Sequence, residues 1–332
     1  MFAFSIPVFY TMLQIFFFLS LGFFLRKYQI FNEGFFSALG SFVIKVCVPL
    51  YFITRMSQFD LADLARSVRF PVLAILLSVA GVSIGWTAFT ILRFSREDKT
   101  AGIALSGFGN AGYLPISIIE LMPLSLPMIE QLFSTQLALF YVGAFLFAFS
   151  PMLWSFGQLF IQGGSLKNLH RGLISPAMIG IVIGVSLSAL GLGPMLSEAG
   201  NPLSAIFPAM KRVADMMIPS VLIVLGAMAG ELQFDRQNLR SLLRLTSVVA
   251  LIRFGAMPLL FFLLAPFVWL KASWTPTELW VVFLQFSTPP STNLSLMAAE
   301  SGINKDHATF TLLVCYILFL LIFPLYLTWF MH

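Results

Sequence analysis

Charge is what this sequence has least of. Only 10% of its 332 residues are Asp, Glu, Lys or Arg, against about 25% in soluble domains. Hydrophobic residues make up 59% and the mean hydropathy is +0.93, which is the composition of a polytopic membrane protein. Cysteine is nearly absent. Cys47 and Cys315 both lie inside apolar runs, which excludes a disulfide framework and reads them as small core hydrophobes. The three histidines, His170, His307 and His332, are too scattered for a metal site. There is no G-x-x-x-x-G-K-[ST] loop to cradle ATP, and no Ser/His or paired-Asp set at membrane depth for a hydrolase. The expectation is therefore no enzyme, no cofactor and no metal. The net charge of +5 comes from basic residues set singly or in pairs at the ends of apolar runs, so no nucleic-acid surface is expected. A basic n-region and cleavage site are missing at the N-terminus, so Phe4 to Leu25 reads as a retained first helix, with no soluble domain expected at either end.

What is there is a series of apolar runs, each long enough for the roughly 20 residues that cross a bilayer. They predict ten spans: Phe4–Leu25, Gly34–Thr54, Phe70–Leu92, Thr100–Leu121, Ile129–Phe149 (with a continuation toward Phe160), Gly172–Leu192, Lys211–Gly230, Leu242–Val268, Glu278–Ala299 and Ala308–Phe330. Gln162 to Arg171, with Gly163, Gly164 and Ser165, predicts a short central hinge. The chain divides there into a first five-helix half, 1–161, and a second, 172–332. Gly193 to Pro208 reads as a loop or an interfacial helix.

Two of these runs are poor material for an unbroken helix. Gly109-Asn110-Ala111-Gly112-Tyr113-Leu114-Pro115 and Ser287-Thr288-Pro289-Pro290-Ser291-Thr292-Asn293 combine residues that loosen the backbone with residues that remove its donors. They occupy the fourth and ninth spans, corresponding places in the two halves, and such matched interruptions point to a transporter binding site. The backbone groups freed there must be buried in protein or line a cavity. Each half-helix that restarts offers its positive end to an anion. The expected substrate-binding residues are Asn110, Gly112, Tyr113 and Pro115 with Pro289, Pro290, Ser291, Thr292 and Asn293. For each asparagine two roles stand open, contact with ligand or a cap on the broken backbone.

An odd number of spans per half requires any internal repeat to be inverted. Ser37-Ala38-Leu39, Pro49 and Phe59-Asp60-Leu61 find a loose echo in Ser204-Ala205-Ile206, Pro219 and Phe234-Asp235-Arg236. Basic residues favour one face: Arg26, Lys27, Arg93, Arg96, Lys99, Lys167, Arg171, Arg236, Arg240, Arg244 and Lys305 outnumber Arg55, Arg66, Arg69, Lys211, Arg212 and Lys271 on the other. By the positive-inside rule both termini are then non-cytoplasmic, in a plasma or bacterial inner membrane.

Ionisable residues inside spans are functional candidates because burying charge is costly. Lys45 and Arg253 are read as positive support for an anionic substrate, although a structural salt bridge serves Arg253 equally well. Asp215 is read in the first turn of the seventh span, near Lys211 and Arg212, where satisfying the helix dipole is the better account.

With these residues in view, the chain resembles the auxin efflux carrier family, which includes PIN-type auxin exporters and bacterial malate-permease-like carriers. Gly109 to Pro115 is similar to the family's G-N-x-G-x-L-P crossover. Ile218-Pro219 with Leu225-Gly226-Ala227, and Pro289 to Asn293 followed by Ala298-Ala299-Glu300, match more loosely. The resemblance covers essentially the whole chain. It implies two inverted five-helix repeats, like those of the bile-acid sodium symporters. A scaffold of helices 1, 2, 6 and 7 would face a mobile transport domain of helices 3–5 and 8–10, with helices 4 and 9 crossing at their breaks. It also implies organic-anion substrates. Lys45 departs from the apolar second span the family leads one to expect.

The function expected is secondary transport of a small organic anion, auxin-like or malate-like, by elevator-type alternating access. The partners are the anion and the lipid bilayer, with a homodimer left open, and the coupling ion, H⁺ or Na⁺, is undecided. A sodium- or proton-coupled symporter of bile-acid-like substrates on the same fold is the nearest alternative. A membrane receptor without transport is the second, and a channel, which lacks evident pore rings, the third.

Overall fold

The computed structural model describes residues 2–59, 65–162, 174–197, 202–230, 239–269, 271, 273–301 and 305–331. Among them the regular secondary structure is all helix, apart from one isolated backbone bridge between Gly109 and Pro290. In chain order the principal helices are α1 (Phe2–Lys27), α2 (Glu33–Met56), α3 (Ala65–Ile91), α4 (Arg96–Gly107), α5 (Tyr113–Ser125), α6 (Thr135–Gln162), α7 (Pro176–Ala189), α8 (Ser204–Gly230), α9 (Leu239–Phe267), α10 (Pro276–Ser287), α11 (Thr292–Ser301) and α12 (Lys305–Phe330). Six stretches, α2, α3, α6, α8, α9 and His307–Phe330 of α12, are long and apolar enough to cross a membrane. The chain is thus an integral, multi-pass, all-α membrane protein.

α1, α3, α6, α7 and α12 are apolar on nearly every side, which is what a helix buried in lipid or protein requires. Phe16, Phe17, Leu76, Ile91, Leu263 and Leu325 are exposed on the outside of the bundle, as residues facing hydrocarbon would be. The helix starts carry polar caps. Asn32 and Ser95 accept from the third residue on, and Thr275 closes a capping box with Glu278.

Several boundaries differ from the sequence reading. Gly193–Ser197 and the residues from Pro202 onward are helical, so of the loop and the helix expected here the described residues form helix, and the later part belongs to the start of α8. The described part of the sixth span, α7, is short, Pro176–Ala189, because Ser175 caps it and Pro176 fits its first turn. The expected continuation of the fifth span is there: α6 runs on through a π-helical turn, Leu153–Gly157, to Gln162. The hinge 163–171 and parts of both repeat echoes, Asp60-Leu61 and Phe234-Asp235-Arg236, lie outside the described residues.

Two groupings position the site. α1 packs along α8, and α2 packs against α7 and α8. α3 packs against α4 and α6, while α12 packs against α9 and α11. The contact of α1 with α8 depends on missing side chains. A Cβ on Gly22 would stand 1.9 Å from the Ile223 carbonyl oxygen, and one on Gly226 1.9 Å from that of Leu19. Small residues that let backbones approach drive helix association in lipid. Gly226→Leu is therefore expected to destabilise the protein by about 1–3 kcal/mol, read as a lower melting temperature in detergent. An unchanged melting temperature would show that the two helices do not meet there.

Candidate functional site

The four helices around the interruptions meet end to end. α4 stops at Gly107 and α5 begins at Tyr113, while α10 stops at Ser287 and α11 begins at Thr292. The residues between them pair with each other. The Asn110 N–H donates to the Pro289 carbonyl at 2.8 Å, and the Ser291 N–H donates to the Phe108 carbonyl at 2.9 Å. Gln285 Nε2 donates to the Ala111 carbonyl at 3.0 Å. Backbone groups that the glycines and prolines cannot keep inside a helix are thus satisfied across the crossover. Pro115, Pro289 and Pro290 are buried, and they shape this backbone rather than line a cavity.

Behind the crossover lies Arg253, 1% exposed and set in a π-helical turn of α9, Ile252–Ala256. Its Nε and Nη2 donate to the Thr288 carbonyl at 2.9 and 2.5 Å, Nη2 also to Thr288 Oγ1 at 2.9 Å, and Nη1 to the Ser106 carbonyl at 3.4 Å. These carbonyls sit at the C-terminal, partially negative ends of α10 and α4, where a cation is stabilising. Gly109 makes room for the guanidinium: a Cβ there would lie 2.1 Å from Nη2. Arg253 holds the two ends together.

The opposite ends face a cavity of about 580 Å³, part of it open to the outside. Asn110, Gly112, Tyr113, Ser291 and Asn293 line its crossover side. Ile44, Val48 and Phe52 of α2, Met217 of α8 and Ser175 to Ala177 at the start of α7 line the facing side. Leu146, Phe149, Ser150 and Trp154 of α6 form a third wall. Helices α5, α11 and α7 all begin at this cavity. A second, apolar cavity of about 330 Å³ shares Ile44, Tyr113 and Asn293 with the first and adds Thr292, Gly40 and Val224. No acidic or basic side chain lines either cavity among the described residues.

The two asparagines differ. Asn110 Oδ1 accepts from the Leu114 N–H at 3.5 Å, a cap on α5, and its Nδ2 donates to the Tyr316 hydroxyl. Asn293 Oδ1 is buried and accepts no hydrogen bond among the described residues. A half-turn of that amide would present its NH₂ donors at the same place. Tyr316, Thr288 and Gln285 were not foreseen, because a partner drawn from a distant helix leaves no local pattern. Ser175-Pro176 was readable as a helix start, and with it the third N-terminus.

The structure moves all three ionisable candidates away from the cavity. Lys45 lies in the π-helical turn Val43–Cys47 and is exposed on the outside of α2. Arg253 is committed to carbonyls. Asp215 stands in the middle of α8 rather than in its first turn, because that helix starts earlier. It pairs with Arg55 at 3.6 Å.

A family model described as membrane transport protein matches residues 7–153 and 164–327. No curated protein matches the chain.

Proposed function

The chain belongs to the membrane transport protein family, that of the auxin efflux carriers, and from that premise we propose that it is a secondary carrier of small organic anions. The observation that carries this reading is the convergence of three helix N-termini, those of α5, α11 and α7, on one cavity lined by no acidic side chain among the described residues. Such ends attract anions through the helix dipole and through those first-turn N–H groups that the Asn110 and Ser175 side chains do not cap. A carboxylate would sit at the crossover against Gly112, Tyr113, Ser291 and the Asn293 amide, with Asn110 shaping that edge. Its body would lie among Phe52, Leu146, Phe149 and Trp154. That lining favours an auxin-like monocarboxylate over a malate-like dicarboxylate, because a second carboxylate would be desolvated without a cation to pair with.

In this reading α4 with α5, and α10 with α11, each make one crossing too short for either half alone. With α1, α2, α3, α6, α7, α8, α9 and α12 they give ten crossings in two inverted five-helix repeats. α1, α2, α7 and α8 form the scaffold, and the remainder moves past it as an elevator. Both termini are placed outside the cytoplasm, and an impermeant reagent that failed to label an engineered N-terminal cysteine on intact cells would reverse the assignment.

The sodium-coupled alternative needs the carbonyls at broken-helix C-termini free to coordinate an ion. Here the Arg253 guanidinium bonds to them, which supplies the positive charge permanently and repels a metal cation. Proteoliposomes are therefore expected to take up labelled indole-3-acetate saturably, malate far less, and to do so equally in sodium or choline buffer. Uptake of neither acid would sink the carrier reading. Uptake lost on replacing sodium would revive the symporter.

A further inference from the structure

At the end of α2, away from the cavity, two acidic side chains from two other helices share one cation. Arg55 Nη2 lies 2.7 Å from Glu120 Oε1 and 3.6 Å from Asp215 Oδ1. The same Glu120 oxygen accepts from the Tyr51 hydroxyl at 2.8 Å, and the Arg55 guanidinium lies over the Tyr51 ring, 5.3 Å from its centroid. Tyr51 and Arg55 are four residues apart on α2, hence on one face. Asp215 belongs to α8, which packs on α2. Glu120 belongs to α5, whose first residues line the cavity. Seven residues separate it from Tyr113, roughly 10 Å along the helix.

We infer that Arg55 is a switchable latch between α2 and the half-helix α5, passing from Glu120 to Asp215 as the site moves. This rests on the alternating-access reading above. With a single acid, the pair would be a weld, because separating it would leave a part-buried guanidinium without a partner. A second acid on the stationary side removes that obstacle. Arg55 then has a carboxylate in both states, while Glu120 and its two donors define the state seen here. Side-chain exposures of 26% for Arg55, 20% for Glu120 and 49% for Asp215 fit this division. The closer acid, Glu120, is the more enclosed, and Asp215, at the longer distance, still reaches water.

The test uses the full protein in proteoliposomes, with Cys47 and Cys315 replaced by alanine and a single reporter, Ala177→Cys, on the cavity wall. Labelling of the reporter by a maleimide measures how often this wall is open. Glu120→Gln releases the latch and should slow labelling by roughly threefold or more. Asp215→Asn removes the alternative partner and should speed it. Tyr51→Phe keeps every charge and should act in the sense of Glu120→Gln, more weakly, which guards against misfolding of the charge variant. Shifts in the same sense for Glu120→Gln and Asp215→Asn, or no shift in either, overturn the latch. If the wild type carries indole-3-acetate and the opposed shifts are absent, only the latch fails. If opposed shifts occur and no organic acid is carried, the latch stands and the carrier reading fails.

Discussion

Arg253→Ala is expected to remove about 2–5 kcal/mol of stability and all transport. The substitution leaves the Thr288 and Ser106 carbonyls without their donor, at about 1–3 kcal/mol for each buried group left unsatisfied. It also opens a hole where one of the largest fully buried side chains now sits. The two C-terminal helix ends would then face each other with no cation between them. Arg253→Lys should recover only part of the loss, because a single ammonium cannot fork onto three oxygens as a guanidinium does. Gly109→Ala attacks the same joint from the other side, since its new Cβ would fall 2.1 Å from Nη2 and 2.6 Å from Thr288 Oγ1. Thermal denaturation in detergent reads all three. An Arg253→Ala protein that melts with the wild type would show that the backbone bridge between Gly109 and Pro290 closes the crossover alone.

Asn110→Ala is expected to abolish uptake of indole-3-acetate in a protein that still folds. The cap on Leu114 is worth about 1 kcal/mol, a loss this bundle can absorb, but the start of α5 would fray where the proposed carboxylate docks. Asn293→Ala should cost less stability, because its buried oxygen holds no hydrogen bond among the described residues, while weakening binding as strongly. Tyr316→Phe separates placement from contact. It removes only the hydroxyl that receives the Asn110 amide, so transport should fall partway and the melting temperature little. Substrate-induced thermal stabilisation measured for the three variants decides between the roles. Undiminished stabilisation in Asn110→Ala would leave that residue purely a cap.

Depth along the chain was legible; direction around each helix was not. Gly109 to Pro115 and Pro289 to Asn293 announce themselves because proline and glycine change what the backbone can do wherever they stand. Lys45 and Arg253 were likewise placed at membrane depth by simple counting from the span ends. Their roles were hidden, because depth in a span does not say which distant groups a lone cation meets, and both residues sit in π-helical turns that shift the face expected from α-helical spacing. Lys45 turns outward from a π-helical turn, and Arg253 turns inward onto carbonyls. Asp215 was misplaced for a different reason. Its helix begins in a Gly/Pro-rich stretch that reads as loop, so a mid-helix acid paired with Arg55 looked like a first-turn one.

By itself the sequence determined that this is a multi-pass helical membrane protein and marked two stretches unsuited to continuous helix, because hydropathy, span length and the chemistry of Gly and Pro are local properties. Only the tertiary structure decided what the interruptions face. Their C-terminal ends close on Arg253 and their N-terminal ends open on a cavity without charge. That division depends on which helices stand beside which, and contacts such as Asn110 with Tyr316, or Arg253 with Thr288, join residues that nothing in the linear order brings together.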